Sequence, residues 1–79
     1  MTEADLADLD AFVAVARARS FRGAARLSGV SPSSLSEAIR RLETRLRTRL
    51  LNRTTRSVSP TEAGERLLER LSPALSEIA

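Results

Sequence analysis

Seventy-nine residues, 42% hydrophobic and 29% charged, suit one small domain and exclude a second. Cysteine, histidine, tryptophan and tyrosine are all absent, which removes thiolate and imidazole metal sites, disulfides and Ser-His or Cys-His nucleophile pairs. Neither an enzyme nor a bound cofactor is expected, and a chain this short hides only about 60% of its unfolded surface, so help from a second subunit is plausible. All 13 basic residues are arginine, and they are placed unevenly: residues 1–16 sum to −4, residues 17–56 to +9 and residues 57–79 to −2. A stretch at +9 attracts polyanions through counterion release, although a solvated arginine-rich helical surface explains the charge equally well. No apolar run approaches the ~20 residues of a membrane span and the first residues are acidic, so residence in the cytoplasm is expected.

In chain order, Leu6, Leu9, Phe12, Val13 and Ala16 recur on one helical face, with Asp5, Asp8 and Asp10 near the positive end of the dipole. A first helix is predicted over residues 5–18. Ser20 is placed to cap a second, over 21–28, whose apolar face is Phe21, Ala24, Ala25 and Leu27. Gly29 can take the left-handed conformation that stops it, Val30 can plug the gap, and Ser31-Pro32 is an N-cap followed by the residue favoured at N1. The third helix spans 32–46, with Leu35, Ile39, Leu42 and Leu46 inward.

Residues 50–53 and 57–59 are short extended candidates around Thr54-Thr55-Arg56, adequate as a flap packed on helices. Thr61 then caps a last helix with Glu62 and Glu65 in its first turn. Leu68, Leu71, Leu75 and Ile78 recur along it as a seam that outruns the core, so it is expected to bury the seam against a twin, with Pro73 kinking or breaking the bonding ladder. The fold class is mainly α: a winged helix-turn-helix over residues 1–60 and a linker and dimerisation helix over 61–79.

Two helices joined by a glycine-containing turn, the second opening on small polar residues, suit the DNA major groove. Ser31 is read as a structural cap. Ser33, Ser34 and Ser36 are small enough to let a helix approach base edges. Arg40 and Arg41 are candidates for backbone phosphate, the alternative being ion pairs of Arg40 with Glu43 or of Glu37 with Arg40 or Arg41. Arg53 and Arg56 bracket the Thr54-Thr55 tip, a placement suited to a minor groove or its phosphates, or simply to a solvated loop. Phe12 and Phe21 are core, since 3% aromatic content is too little for base-stacking single-strand recognition.

The segments SFRGAARLSGVSPSSLSEAIRRLE (20–43) and LLNRTTRSVSPTEAG (50–64) closely resemble the amino-terminal domain of LysR-type transcriptional regulators. The most specific matches are Ala24-Ala25, Val30-Ser31, Leu35-Ser36, Ile39, Leu42-Glu43, Leu51 through Arg53, Thr61 and Ala63-Gly64. The resemblance implies a recognition helix in the major groove, a wing at the minor groove and dimers on interrupted inverted repeats. Position by position, it puts Ser31, Pro32, Ser33, Ser36 and Glu37 in groove-facing places, Arg40 on the backbone, and Arg53 and Arg56 in the wing. It also implies a much larger carboxy-terminal domain for a small effector, which these 79 residues do not include.

Three positions depart from the family's pattern. Arg47 stands where glycine is usual and would take a strained left-handed conformation or loosen the helix exit. Leu51 replaces a frequent Phe, and Pro60 replaces an aliphatic residue and is expected to shorten the second wing strand. Glu37, where Arg, Gln or His is common, is a specificity residue if it accepts from a cytosine amino group. The competing class is a winged-helix module that docks a protein or dimerises without reading DNA. The coincidence of the +9 segment with the third helix and wing favours DNA.

Overall fold

The structure, a computed structural model, describes the backbone of residues 3–54 and 57–78 and the side chains of residues 6–54 and 57–71. Its order is α1 (Glu3–Ala18), α2 (Phe21–Ser28), α3 (Pro32–Leu46), β1 (Leu51–Arg53), β2 (Val58–Pro60) and α4 (Glu62–Ile78). This is the mainly helical, winged arrangement expected from the sequence. The strands are antiparallel, with Leu51 opposite Pro60, Asn52 opposite Ser59 and Arg53 opposite Val58.

Each helix boundary has a local cause. The Ser20 hydroxyl accepts the Gly23 amide at 3.0 Å and starts α2. Gly29, at φ 76°, ends it by returning its amide to the Ala25 carbonyl. Ser31 accepts the Ser34 amide at 3.1 Å, and Pro32 occupies the first turn of α3. The end of α3 is as sharp as a glycine would make it: Arg47 sits left-handed at φ 55°, and Thr48 donates to the Glu43 carbonyl at 3.0 Å. A side chain at that φ is strained, so the arginine costs stability without altering the turn.

The core gathers Phe12, Val15 and Ala16 of α1, Ala24 of α2, Leu35, Ala38, Ile39 and Leu42 of α3, and Leu50, Leu51 and Val58 of the wing base. The apolar periodicity overreached at four places. Leu6 is 57% exposed, Leu46 48% and Val30 42%, so Val30 does not plug the turn. Leu27 is 86% exposed, because the buried arc of α2 is centred between Phe21, Ala24 and Ala25 and leaves Leu27 beyond its edge. Conversely, Asp8, which the sequence places only near the positive end of the α1 dipole, is fully buried.

The second strand runs one residue later than expected and ends on Pro60, which sits opposite Leu51 rather than cutting the strand short. Thr61 caps α4 by accepting the Gly64 amide at 3.0 Å, and its hydroxyl donates to the Arg49 carbonyl at 2.6 Å. Gly64 must be glycine, since a Cβ there would overlap the Leu50 carbonyl oxygen. The helix continues past Pro73 to Ile78 and is not broken there. Ala63, Leu67, Leu68 and Leu71 of α4 pack partly buried against the core.

Candidate nucleic-acid interface

The buried side of α3 is Leu35, Ala38, Ile39 and Leu42. At 3.6 residues per turn, the stripe opposite is Ser33, Glu37, Arg40 and Thr44. All four are exposed. Neither ion pair expected for Arg40 is present among the described residues, and Glu37 and Arg40 are both exposed, Glu37 close enough to Arg41 for its charge to help hold that guanidinium protonated. Thr44, one turn beyond Arg40, belongs to this stripe and was missed. Counting forward in steps of three and four from Ser33 finds it.

The two flanks of the stripe are tied back into the protein. On one flank Arg41 donates from Nη2 to Asp8 Oδ1 of α1 at 3.0 Å. The Asp8 side chain is 1% exposed and Arg41 is 56% exposed. The hydrogen bond to Asp8, and then that carboxylate's charge, push the Arg41 guanidinium above its ordinary range, so it stays charged throughout. Arg41 therefore braces α3 on α1 instead of standing free with Arg40. The signal was the position of Asp8, four residues before Phe12 and seven before Val15, on the buried face of α1.

On the other flank Arg53, from β1, turns inward. Its Nη1 donates to Ser36 Oγ at 3.0 Å, and its guanidinium carbon lies 4.9 Å from the centre of the Phe21 ring. Phe21 is half-buried, and one face serves as a platform for this arginine instead of belonging wholly to the core. Glu43, beside Ser36 on the same flank, accepts the backbone amides of Leu50 and Leu51 at 2.8 and 3.3 Å. This carboxylate joins α3 to the wing, a role that spacing along a helix does not announce.

At the amino end of α3, Ser31 is the cap, and its hydroxyl donates to Ser34 Oγ at 2.9 Å. Ser34 lies on the α1 flank, beside a groove of about 410 Å³ whose lining includes Asp8, Ala11, Val30 and Leu35. Ser31, Pro32 and Ser33 remain exposed at the helix entrance. In the wing, Thr54 Oγ1 accepts the Ser57 amide at 2.9 Å and closes the tip. Thr55 and Arg56 lie outside the described residues, as do the side chains of Leu75 and Ile78. Leu68 and Leu71 are half-buried against their own domain, so part of the expected seam is used within the chain.

A helix-turn-helix with its second helix turned outward, flanked by a two-stranded wing, places the chain in the winged helix-turn-helix class. Residues 6–65 match the family described as bacterial regulatory helix-turn-helix protein, lysR family. The chain belongs to that family, which is one of transcription regulators and not of enzymes. It is 60% identical over 79 residues to the HTH-type transcriptional regulator PgrR of Escherichia coli, covering 99% of this chain and 26% of PgrR. Among solved structures, it resembles a DNA complex of the BenM domain at catB site 1, with 34% identity and a TM-score of 0.84, covering 92% of this chain and 81% of that one. It also resembles a peroxide-bound OxyR mutant of Corynebacterium glutamicum, with 41% identity and a TM-score of 0.84, over 92% of this chain and 23% of that one. The chain thus spans about a quarter of the length of the curated relatives it matches.

Proposed function

We propose that this chain reads duplex DNA, with α3 in the major groove and the wing at the adjacent minor groove of an inverted-repeat site. The observation that carries this is the solvent-facing stripe of Ser33, Glu37, Arg40 and Thr44, exposed on a helix whose flanks are both pinned. A helix held this way meets a groove without reorganising. Arg40 is a phosphate contact, and Glu37 is placed to accept from a cytosine amino group. The likeness to a BenM domain solved on DNA supports the same reading.

Residues 61–79 act as an arm that pairs two subunits. A groove of about 510 Å³ lined by Leu9, Leu42, Leu46, Leu67 and Leu71, with Arg45 and Arg70 beside them, supports this. The resemblance to LysR-type regulators implies that a small effector is sensed by a further domain in proteins of this kind, of whose length this chain spans about a quarter. The test is fluorescence anisotropy with random and promoter-derived duplexes across a salt series, where phosphate contacts appear as slope. A steep slope with preference for one inverted repeat is expected. Failure to bind any duplex, in a chain shown to be folded, would turn the reading toward a protein-docking module.

A further inference from the structure

The contact between Arg53 and Ser36 carries more than the bracing of a wing. A guanidinium has donors only, so Ser36 Oγ is the acceptor in this bond. A serine inside a helix commonly donates its own proton to the carbonyl four residues back, here Pro32. Among the described residues, the Ser36 hydroxyl makes no bond other than the one from Arg53. Its proton is therefore left without an acceptor among the described residues, on a half-buried side chain beside the exposed stripe. Arg53 itself is held: its plane covers Phe21, and Nη2 is enclosed with no partner among the described residues.

We infer that Arg53 sets the polarity of Ser36, so that Ser36 meets DNA as a hydrogen-bond donor and selects a purine edge through N7. N7 is the acceptor that adenine and guanine both present in the major groove; guanine O6 and thymine O4 are the other acceptors there, and the adenine and cytosine amino groups compete only for the one lone pair that Arg53 leaves on the Ser36 oxygen. Arg53 is on this account a positioning residue, acting on the duplex through a hydroxyl it does not share with any backbone group. The inference rests on the proposed reading of duplex DNA.

The experiment starts from sites that the wild-type chain selects out of a random duplex library. Each purine of a half-site is then replaced in turn by its 7-deaza analogue, which removes N7 and leaves base pairing intact, and affinity is measured for wild type, Ser36→Ala, Arg53→Ala and Arg53→Lys. One position is expected where the analogue weakens wild-type binding by roughly 3- to 10-fold, the range of one neutral hydrogen bond. The same position should be silent in Ser36→Ala, much reduced in Arg53→Ala and retained in Arg53→Lys, which can still donate. Thermal melts check that each variant is folded. An analogue effect equal in Arg53→Ala and wild type overturns the inference, as does a Ser36-dependent loss confined to methylphosphonate substitutions in the backbone. Either result leaves duplex reading standing, whereas a folded wild-type chain that selects no site removes both.

Discussion

Replacing Glu43 with alanine takes away the acceptor that holds the Leu50 and Leu51 amides at 2.8 and 3.3 Å. Leu50 and Leu51 are at most 1% exposed, so water cannot easily substitute. A hydrogen bond to a charged group contributes about 1.5–3 kcal/mol, and the longer of the two counts for less, giving a loss of about 2–4 kcal/mol. A domain of this size has on the order of 4–12 kcal/mol in total, so the variant sits near the edge of folding. At 4–8 °C per kcal/mol, the melting temperature should fall by roughly 8–32 °C. Glu43→Gln keeps a neutral acceptor and should lose about half as much. The assay is thermal and urea unfolding followed by circular dichroism. A Glu43→Ala loss below about 0.5 kcal/mol, the range of ordinary surface substitutions, would refute the assignment of this carboxylate as the link between α3 and the wing.

Gly64→Ala should destabilise by about 1–3 kcal/mol in the same unfolding assay, because the added methyl meets the backbone carbonyl of Leu50 and no side chain that could swing aside. Arg41→Ala and Arg40→Ala should separate cleanly. The first strands the buried Asp8 carboxylate and lowers the melting temperature, while the second leaves the melt unchanged and flattens the salt dependence of DNA binding. Arg47→Gly should raise the melting temperature, with up to about 1 kcal/mol gained from relief of the left-handed strain less the entropy of a freer unfolded chain. A decrease would show that the Arg47 side chain contributes more than its backbone costs.

The helices were legible in the sequence because their boundaries are local. Ser20, Ser31 and Thr61 cap amides three residues away, and Gly29 ends α2 through its own φ. The outward stripe of α3 followed from the same periodicity, and only Thr44 was overlooked. Contacts between distant residues were not legible. Asp8 and Arg41 are 33 positions apart, Arg53 and Ser36 are 17 apart, and nothing in the neighbourhood of either pair announces the other. This is why Arg41 and Arg53, read from the sequence as phosphate and wing contacts, each carry a tie to another element that the sequence did not indicate. The exposure of Leu27 and Leu46 has the complementary cause: periodicity gives the direction of an apolar face, while the span of the neighbouring elements decides how much of it is covered.

Thr61 ties together two segments of chain, residues 49–50 ahead of the wing and the first turn of α4 behind it. Its amide donates to the Leu50 carbonyl, its hydroxyl donates to the Arg49 carbonyl, and the same oxygen accepts from the first turn of α4. The wing is thus a closed loop clasped at its base, and α4 departs from the clasp. A twist or pull on α4 is delivered at once to the root of the wing, through this clasp, and to the helices of the core, through Ala63, Leu67, Leu68 and Leu71.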